Sequence, residues 1–211
     1  MRRYRFHWIL TAIAVIVSAC GGDIHSGSSN GPSVTIVDTL PGIAALSGIV
    51  MSDGSASNSV QPYSGDVDGT VVGRAVRGFV SFDLSGIPAG KIIKTANLRM
   101  YQLTIAGDPY SNHGPLMLDH VIYGAGLDAA DFDGGTLDSA FATLSLDQAP
   151  GIKLVNVFQK VKADIAAGRT MSQLRMRFSI KDTDVDSTSD NATFKSETDF
   201  PPPLIIVTYL N

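Results

Sequence analysis

Short apolar runs in which hydrophobic and polar side chains alternate constrain the fold of this chain more than any other feature. In "GFVSFDL", Val80, Phe82 and Leu84 share one face, while Ser81 and Asp83 share the other. A period of two is typical of a β-strand with one buried face, because successive side chains point to opposite sides of a sheet. The chain is therefore predicted to build sheets that each bury one side.

The same alternation recurs in two further runs. In "TANLRMY", Ala96, Leu98 and Met100 are predicted to face inward, and Arg99 and Tyr101 outward. In "LRMRFSI", the predicted inward set is Leu174, Met176, Phe178 and Ile180, and the outward set is Arg175, Arg177 and Ser179.

Seven short apolar runs follow one another along the chain, with turn residues between them. They are "VTIV", "GFVSFDL", "TANLRMYQL", "LMLDHVIY", "IKLV", "LRMRFSI" and "PLIIVTYL". Many short strands separated by Gly, Pro, Asp, Asn and Ser predict an all-β fold, here an antiparallel two-sheet β-sandwich of the jelly-roll type. The last run is apolar on both faces, which favours a central strand.

The segment "NVFQKVKADIAAGR" has a helical period instead. Its apolar residues Val157, Phe158, Val161 and Ile165 lie at helical spacing. Asn156 can cap the start of a helix and Gly168 can end it. We expect one short helix that covers an edge or an open end of the sandwich.

The N-terminal stretch "MRRYRFHWILTAIAVIVSACGG" has three arginines, an apolar run and then small residues before Cys20. This order is that of a secretory signal, and the apolar run is shorter than the roughly 20 residues of a membrane span. "VSAC" followed by "GG" resembles the lipobox of bacterial lipoproteins, in which the cysteine carries diacylglycerol. Lipidation also accounts for Cys20 as the only cysteine of an exported chain. The alternative is an ordinary signal peptide with an incidental cysteine.

The predicted organisation has three parts. Residues 1–19 are a lipoprotein signal peptide, residues 20–33 a flexible Gly/Ser tether, and residues 34–211 a single β-sandwich domain. We expect an exported protein, anchored to the bacterial cell envelope through lipid on Cys20. Gly21 and Gly22 follow the cysteine in place of the aspartate that retains some lipoproteins at the inner membrane, which favours the outer membrane.

Composition and motifs weigh against two classes of function. Without residues 1–19 the chain has 13 basic and 20 acidic side chains, and a nucleic-acid partner would require a basic surface. The Gly-x-Ser-x-Gly pattern at Gly27–Gly31 falls in the predicted tether rather than at the strand-to-helix turn that a nucleophile elbow requires. No phosphate loop occurs, and His120 on a predicted strand is expected to be a hydrogen-bonded structural residue. The chain is therefore predicted not to be an enzyme.

An acidic stretch keeps the enzymatic alternative open. "DAADFDGGTLDSA" holds four aspartates, and two carboxylates held across a sugar bond can hydrolyse it. The glycines around them favour a loop instead. A polysaccharide lyase or hydrolase would require a deep cleft with convergent acid and base groups.

The stretch "RGFVSFDLSGIPAGKIIKTANLRMY", residues 77–101, carries a family likeness. It resembles the signature of the DNRLRE-type domain, assigned to carbohydrate-binding module family 96, in which an Arg-x-Phe-x-x-Phe-Asp-Leu strand leads through Ile-Pro-x-Gly to Ala-x-Leu-x-x-Tyr. "VNVFQKVKADIAAGR" and "ATFKSETDFPPPLIIVTY" are similar, in order, to the strand and helix that follow and to the closing segment. The likeness extends from about Ser47 to Tyr209.

The resemblance implies a β-sandwich that binds acidic polysaccharide, with an alginate-like polyuronate as the first ligand to consider. The six-letter motif that names the domain is absent, "NVF" stands where Asp-Val-Thr is usual, and Trp8 is the only tryptophan. Stacking on sugar rings would then depend on tyrosine and phenylalanine.

The outward sides of two strands supply candidate ligand-binding residues. Arg99 and Tyr101, with Arg175 and Arg177, can pair with a uronate carboxylate and stack on a sugar ring. The alternative is a solvated sheet face whose arginines resist edge pairing.

The acidic run "KDTDVDSTSDNATFKSE" is a candidate calcium site, and no other cofactor is expected. Its candidate ligands are Asp182, Asp184, Asp186 and Asp190. Ser187 and Thr193 replace the glycine and the bidentate glutamate of an EF-hand loop, so a solvated acidic loop is the alternative.

Taken together, these features predict a non-catalytic, carbohydrate-binding surface lipoprotein. Its predicted partners are an acidic polysaccharide such as alginate and, through lipid on Cys20, the membrane. The alternative is a structural or adhesive β-sandwich that binds another protein.

Replacement of the predicted lipidation site is expected to release the protein from the membrane. A Cys20→Ser variant produced in a bacterial host should incorporate no labelled palmitate and should move from the detergent phase to the aqueous phase of Triton X-114, because it lacks the acceptor sulfur. A Ser29→Ala variant in the tether is the control and should behave like the wild type. Labelling of Cys20→Ser at the wild-type level would contradict the lipoprotein assignment.

Overall fold

The alternating runs lie in β-strands of the computed structural model, which describes residues 34–67, 73–88, 90–180, 183 and 187–210. Twelve strands occur in this part of the chain, and their pairings are antiparallel. The strands are β1 (Thr35–Pro41), β2 (Gly48–Met51), β3 (Ala56–Asn58), β4 (Tyr63–Val67), β5 (Arg74–Asp83), β6 (Ile92–Ala106), β7 (Leu116–Val121), β8 (Thr136–Ser145), β9 (Gly151–Asn156), β10 (Met171–Phe178), β11 (Asn191–Phe194) and β12 (Leu204–Leu210).

These strands form two layers around one apolar core. The first layer contains β1, β12, β6 and β9, and the second contains β5, β10, β7 and β8 with β2 at the free edge of β5. β11 and β4 join the layers into one continuous hydrogen-bonded path. Leu98 and Met100 of β6 belong to the same buried cluster as Leu174 and Phe178 of β10. The predicted all-β, antiparallel sandwich is therefore confirmed.

The second layer departs from the prediction of one buried face per strand. A second buried cluster, which includes Phe79 of β5 and Tyr123 after β7, lies on its outer side. Their rings meet edge to face, with centroids 5.4 Å apart. Ser81 and Arg175 are consequently buried as well. The opposite error occurs at Ile180, which was predicted to face inward and is 72% exposed, because β10 ends two residues earlier.

The predicted helix is present as α2 (Phe158–Ala166). Val161 is fully buried in the core between the layers, and α2 contacts β6 and β10, one strand from each layer. The side chain of Asn156 accepts a hydrogen bond from the N–H of Phe158 at 2.9 Å. Gly168 takes the left-handed conformation, with φ of 69°, just beyond the helix. The predicted helix and its end at Gly168 are confirmed, whereas the N-cap is Val157 rather than Asn156, whose side chain bonds to the first helical N–H from one residue further out.

Several elements carry too weak a pattern to be predicted. They are β2, β3, β4, β8, β11 and the single-turn helix α1 (Pro109–Asn112). The last apolar run forms β12, which lies between β1 and β6, so its predicted central position is confirmed. No helix among the described residues combines the length and apolar character needed to cross a bilayer. Cys20 and the predicted signal and tether lie outside the described residues.

Truncation of the shared core is expected to destabilise the fold strongly. Leu98→Ala removes a fully buried side chain between the layers, and the resulting cavity should lower the free energy of unfolding by about 2–5 kcal/mol. Leu154→Ala on the adjacent strand is the control, because Leu154 is 65% exposed and its loss should cost about 0.5 kcal/mol or less. Urea unfolding measures both. Equal effects at the two positions would contradict the assignment of the inner face.

Candidate ligand-binding surface

Arg175 is buried in the second layer rather than directed to solvent. Its side chain lies on the outer side of β10, but the segment after β7 covers it and leaves it 3% exposed. Its Nε and Nη2 both donate to Asp119 Oδ2, at 3.0 and 2.9 Å. The remaining donors bond to the carbonyl oxygens of Asp131, Phe132 and Gly134 and to Thr136 Oγ1. The prediction that Arg175 faces outward to a ligand is wrong, because its guanidinium holds a loop on the sheet.

Asp119 of β7 organises a second arginine in the same network. Arg177 donates from Nε to Asp119 Oδ2 at 3.0 Å and from Nη2 to Ser139 Oγ at 2.9 Å. The N–H of Ala140 donates to Asp119 Oδ1 at 2.7 Å. Burial raises the pKa of Asp119, but the hydrogen bonds from Ala140, Arg175 and Arg177 outweigh burial, so the pKa lies below its usual value. Both arginines of β10 are therefore committed to an internal carboxylate.

Arg99 and Tyr101 lie on the first layer, away from Arg175 and Arg177. Since Leu98 and Met100 point into the shared core, the alternate residues Arg99 and Tyr101 point out of the sandwich on the other side. The four residues do not form one platform. The predicted orientation holds for Arg99 and Tyr101, which are half-buried, but the two pairs lie on opposite faces.

The region around Arg99 and Tyr101 is here called the β6 surface, and its other members are Ile152, Leu154 and Lys195. Leu154 lies opposite Arg99 and Ile152 opposite Tyr101 in the pairing of β6 with β9, so these side chains share a face. Ile152 is 53% exposed. Lys195 Nζ lies 4.5 Å from the centre of the Tyr101 ring. The β6 surface thus combines two cations, one aromatic ring and two exposed aliphatic side chains.

Arg99 differs from the arginines of β10 because its guanidinium pairs with no carboxylate among the described residues. Its Nε is buried and has no hydrogen-bond partner, and no carboxylate pairs with its guanidinium among the described residues. A guanidinium presents donors in a fork that matches a carboxylate. In the described part of the chain, Arg99 thus differs from Arg175 and Arg177, whose guanidinium groups bind Asp119.

The candidate calcium ligands are only partly described. Asp182, Asp184 and Asp186 lie outside the described residues. Asp190 is buried rather than solvated, and its Oδ2 accepts a hydrogen bond from Asn112 Nδ2 at 2.7 Å. It belongs to an interior group with Asp66 and His113, the one set of three potential metal-binding side chains found in the described part of the chain. Sequence spacing could not reveal this group, because its members come from distant segments.

Three aspartates of the other acidic stretch form hydrogen bonds or ion pairs away from this interior group. Asp128 and Asp131 cap a 3₁₀ turn at Ala129–Phe132 through reciprocal hydrogen bonds, while Asp133 pairs with Arg77 at 2.7 Å. His120 Nε2 lies 2.9 Å from a buried carboxylate oxygen of α2, which confirms it as a hydrogen-bonded structural residue.

Comparison of the chain with protein-family models finds no match, and comparison with curated proteins finds no significant match either.

Removal of the Asp119 carboxylate is expected to destabilise the second layer. Asp119→Asn leaves two arginines without their shared anion, and loss of one partner of a buried pair typically costs about 3–5 kcal/mol. Asp133→Asn is the matched control, because that carboxylate pairs with Arg77 while largely exposed, and its loss should cost about 1 kcal/mol or less. Denaturant unfolding at neutral pH compares them.

Comparison of the wild type with Asp119→Asn at different pH values tests the lowered pKa of Asp119. A carboxyl whose folded-state pKa is lowered stabilises the fold fully above its ordinary pKa of 3.8. This stabilisation is lost as the pH falls through the lower folded-state pKa. The difference in unfolding free energy between wild type and Asp119→Asn should therefore be constant above the ordinary pKa of 3.8. It should become smaller as the pH falls through the lower folded-state pKa. A difference independent of pH down to acid unfolding would contradict the ion-pair network.

Proposed function

We propose that this chain is a non-catalytic carbohydrate-binding protein that binds an acidic polysaccharide through the β6 surface. The observation that carries the proposal is the unpaired guanidinium of Arg99, which lies beside Tyr101 on an open sheet face. A uronate carboxylate would satisfy the forked donors of Arg99. The likeness of residues 77–101 to the DNRLRE-type domain supports the same ligand class.

The remaining members of the β6 surface suit a polymer with repeated carboxylates. Lys195 supplies a second cation next to Tyr101. Ile152 and Leu154 supply apolar contact for the C–H faces of sugar rings. An open sheet face accommodates an extended chain, whereas small ligands are usually held in enclosed pockets. In the cell we propose that lipid on Cys20 tethers this domain to the outer membrane, where it meets extracellular polysaccharide.

A protein-binding role is the second candidate. β9 pairs with β6 alone among the described strands, and it exposes Ile152 and Leu154 at this edge. Exposed aliphatic groups next to an unpaired strand edge also favour contact with another protein. If the β6 surface binds a protein, Arg99 would not discriminate between charged and neutral glycans.

Replacement of Arg99 is expected to weaken polysaccharide binding selectively. Arg99→Ala should lower the affinity for alginate by about 10- to 100-fold, as expected for loss of a hydrogen-bonded charge pair. Lys94→Ala is the matched control, because Lys94 is an exposed cation on the same strand and its removal changes net charge equally. Affinity electrophoresis in gels containing alginate, pectin or neutral xylan measures binding.

Two results would contradict the proposal. Unchanged mobility of the wild type in all three gels would remove carbohydrate binding. Equal weakening by Arg99→Ala and Lys94→Ala would show that net charge, rather than the β6 surface, governs retention.

A further inference from the structure

Three buried side chains with metal-binding atoms meet in the interior, away from the β6 surface. Asp66 belongs to β4, His113 follows α1, and Asp190 precedes β11. Asp66 and His113 are 0% exposed and Asp190 is 1% exposed. Each offers one ligand atom, and these atoms all lie within 4.8 Å of one another. Two carboxylates and an imidazole are thus held together without access to bulk water.

His113 is the member whose environment is incomplete. Both of its ring nitrogens are buried and have no hydrogen-bond partner among the residues that the structure describes, although buried polar groups are nearly always paired. Its Nε2 lies 3.7 Å from Asp66 Oδ2, which is too long for a hydrogen bond. Two ligands about 2.1 Å from a tetrahedral ion lie about 3.4 Å apart, so the observed separation is close to that of two atoms sharing one ion.

The carboxylates are oriented by neighbouring donors. Asp190 accepts hydrogen bonds from Asn112 Nδ2 at 2.7 Å and from the N–H of Asp108. Asp66 Oδ1 accepts from the N–H of Asp190 at 2.7 Å. Outer partners of this kind fix the direction in which a metal-binding carboxylate points.

Gly107 allows the close approach of backbone to this group. It has a φ of 61°, and a Cβ atom there would lie 1.9 Å from Asp190 Oδ1. A larger residue would therefore displace the carboxylate. Glycine at position 107 therefore leaves room for the Asp190 carboxylate in its observed position.

We propose that Asp66, His113 and Asp190 bind one divalent transition-metal ion, with Zn²⁺ as the first ion to test. An imidazole with two carboxylates suits zinc, whereas calcium takes oxygen ligands. This site differs from the calcium site predicted in the acidic run and shares only Asp190 with it. Because the ligands are buried, the ion is structural, and it ties β4 to the segments before β7 and β11.

The direct test measures metal uptake by the full chain. The protein is purified in chelator, dialysed against Zn²⁺ and analysed by mass spectrometry of the metal. We expect one zinc ion per chain and a rise in the unfolding temperature that saturates at one equivalent, since an ion that binds only the folded state stabilises it. Ca²⁺ and Mg²⁺ should give neither effect. Co²⁺ should give visible absorption bands of a low-symmetry nitrogen and oxygen site.

A pair of histidine variants separates the site from general metal binding. His113→Gln should weaken zinc binding by roughly a hundredfold or more, while His120→Gln, which also removes a buried histidine beside a carboxylate, should retain it. If His113→Gln does not fold, Asp190→Asn provides the same comparison through its cobalt spectrum. Wild-type uptake far below one ion per chain would overturn the proposal. Equal uptake by wild type and His113→Gln would overturn it too.

Discussion

Burial of apolar side chains between the two layers is the interaction on which the rest of the structure depends. The inner faces of β6 and β10 meet in a single core that includes Leu98 and Leu174, and α2 covers one part of it through Val161. Hydrophobic burial is non-directional. It therefore determines which faces of the strands pack together, but not which contacts the opposite faces make. The polar side chains on those opposite faces are placed by hydrogen bonds and charge, and the two layers differ in this respect.

The outer face of the second layer is covered, whereas that of the first is open. Covering Arg175 removes a cation from water, which is costly unless every donor is paired, and the described structure provides a carboxylate, three carbonyl oxygens and a hydroxyl for this purpose. Arg99 has no comparable set of partners within the described ranges of the chain. Arginine therefore has a structural role on the outer face of the second layer, whereas its binding role on the first layer is the one that we propose.

Much of the fold could be predicted from the sequence, because alternation is a local property that each strand displays by itself. The helix α2 was equally visible, from the spacing of its apolar residues and from Gly168. The covered outer face of the second layer could not be predicted in this way, because burial of Arg175 depends on a loop more than 40 residues away in the chain. The predicted platform that joined Arg175 and Arg177 to Arg99 and Tyr101 failed for the same reason. Whether Arg175 faces solvent, or Asp190 meets His113, is decided by contacts between distant segments that no short window of sequence contains.

The backbone at Ala140 shows how tightly the covered network is bound to its sequence. Ala140 has a φ of 48°, an unfavourable conformation for a residue with a Cβ atom, and its N–H donates to Asp119. The carboxylate also receives Arg175 and Arg177. Loss of any one member leaves the others without their hydrogen-bond partner. We therefore expect these residues to be replaced in evolution only as a set. Relatives of this chain should keep the acid, both arginines and the left-handed backbone at position 140 together, or have none of them.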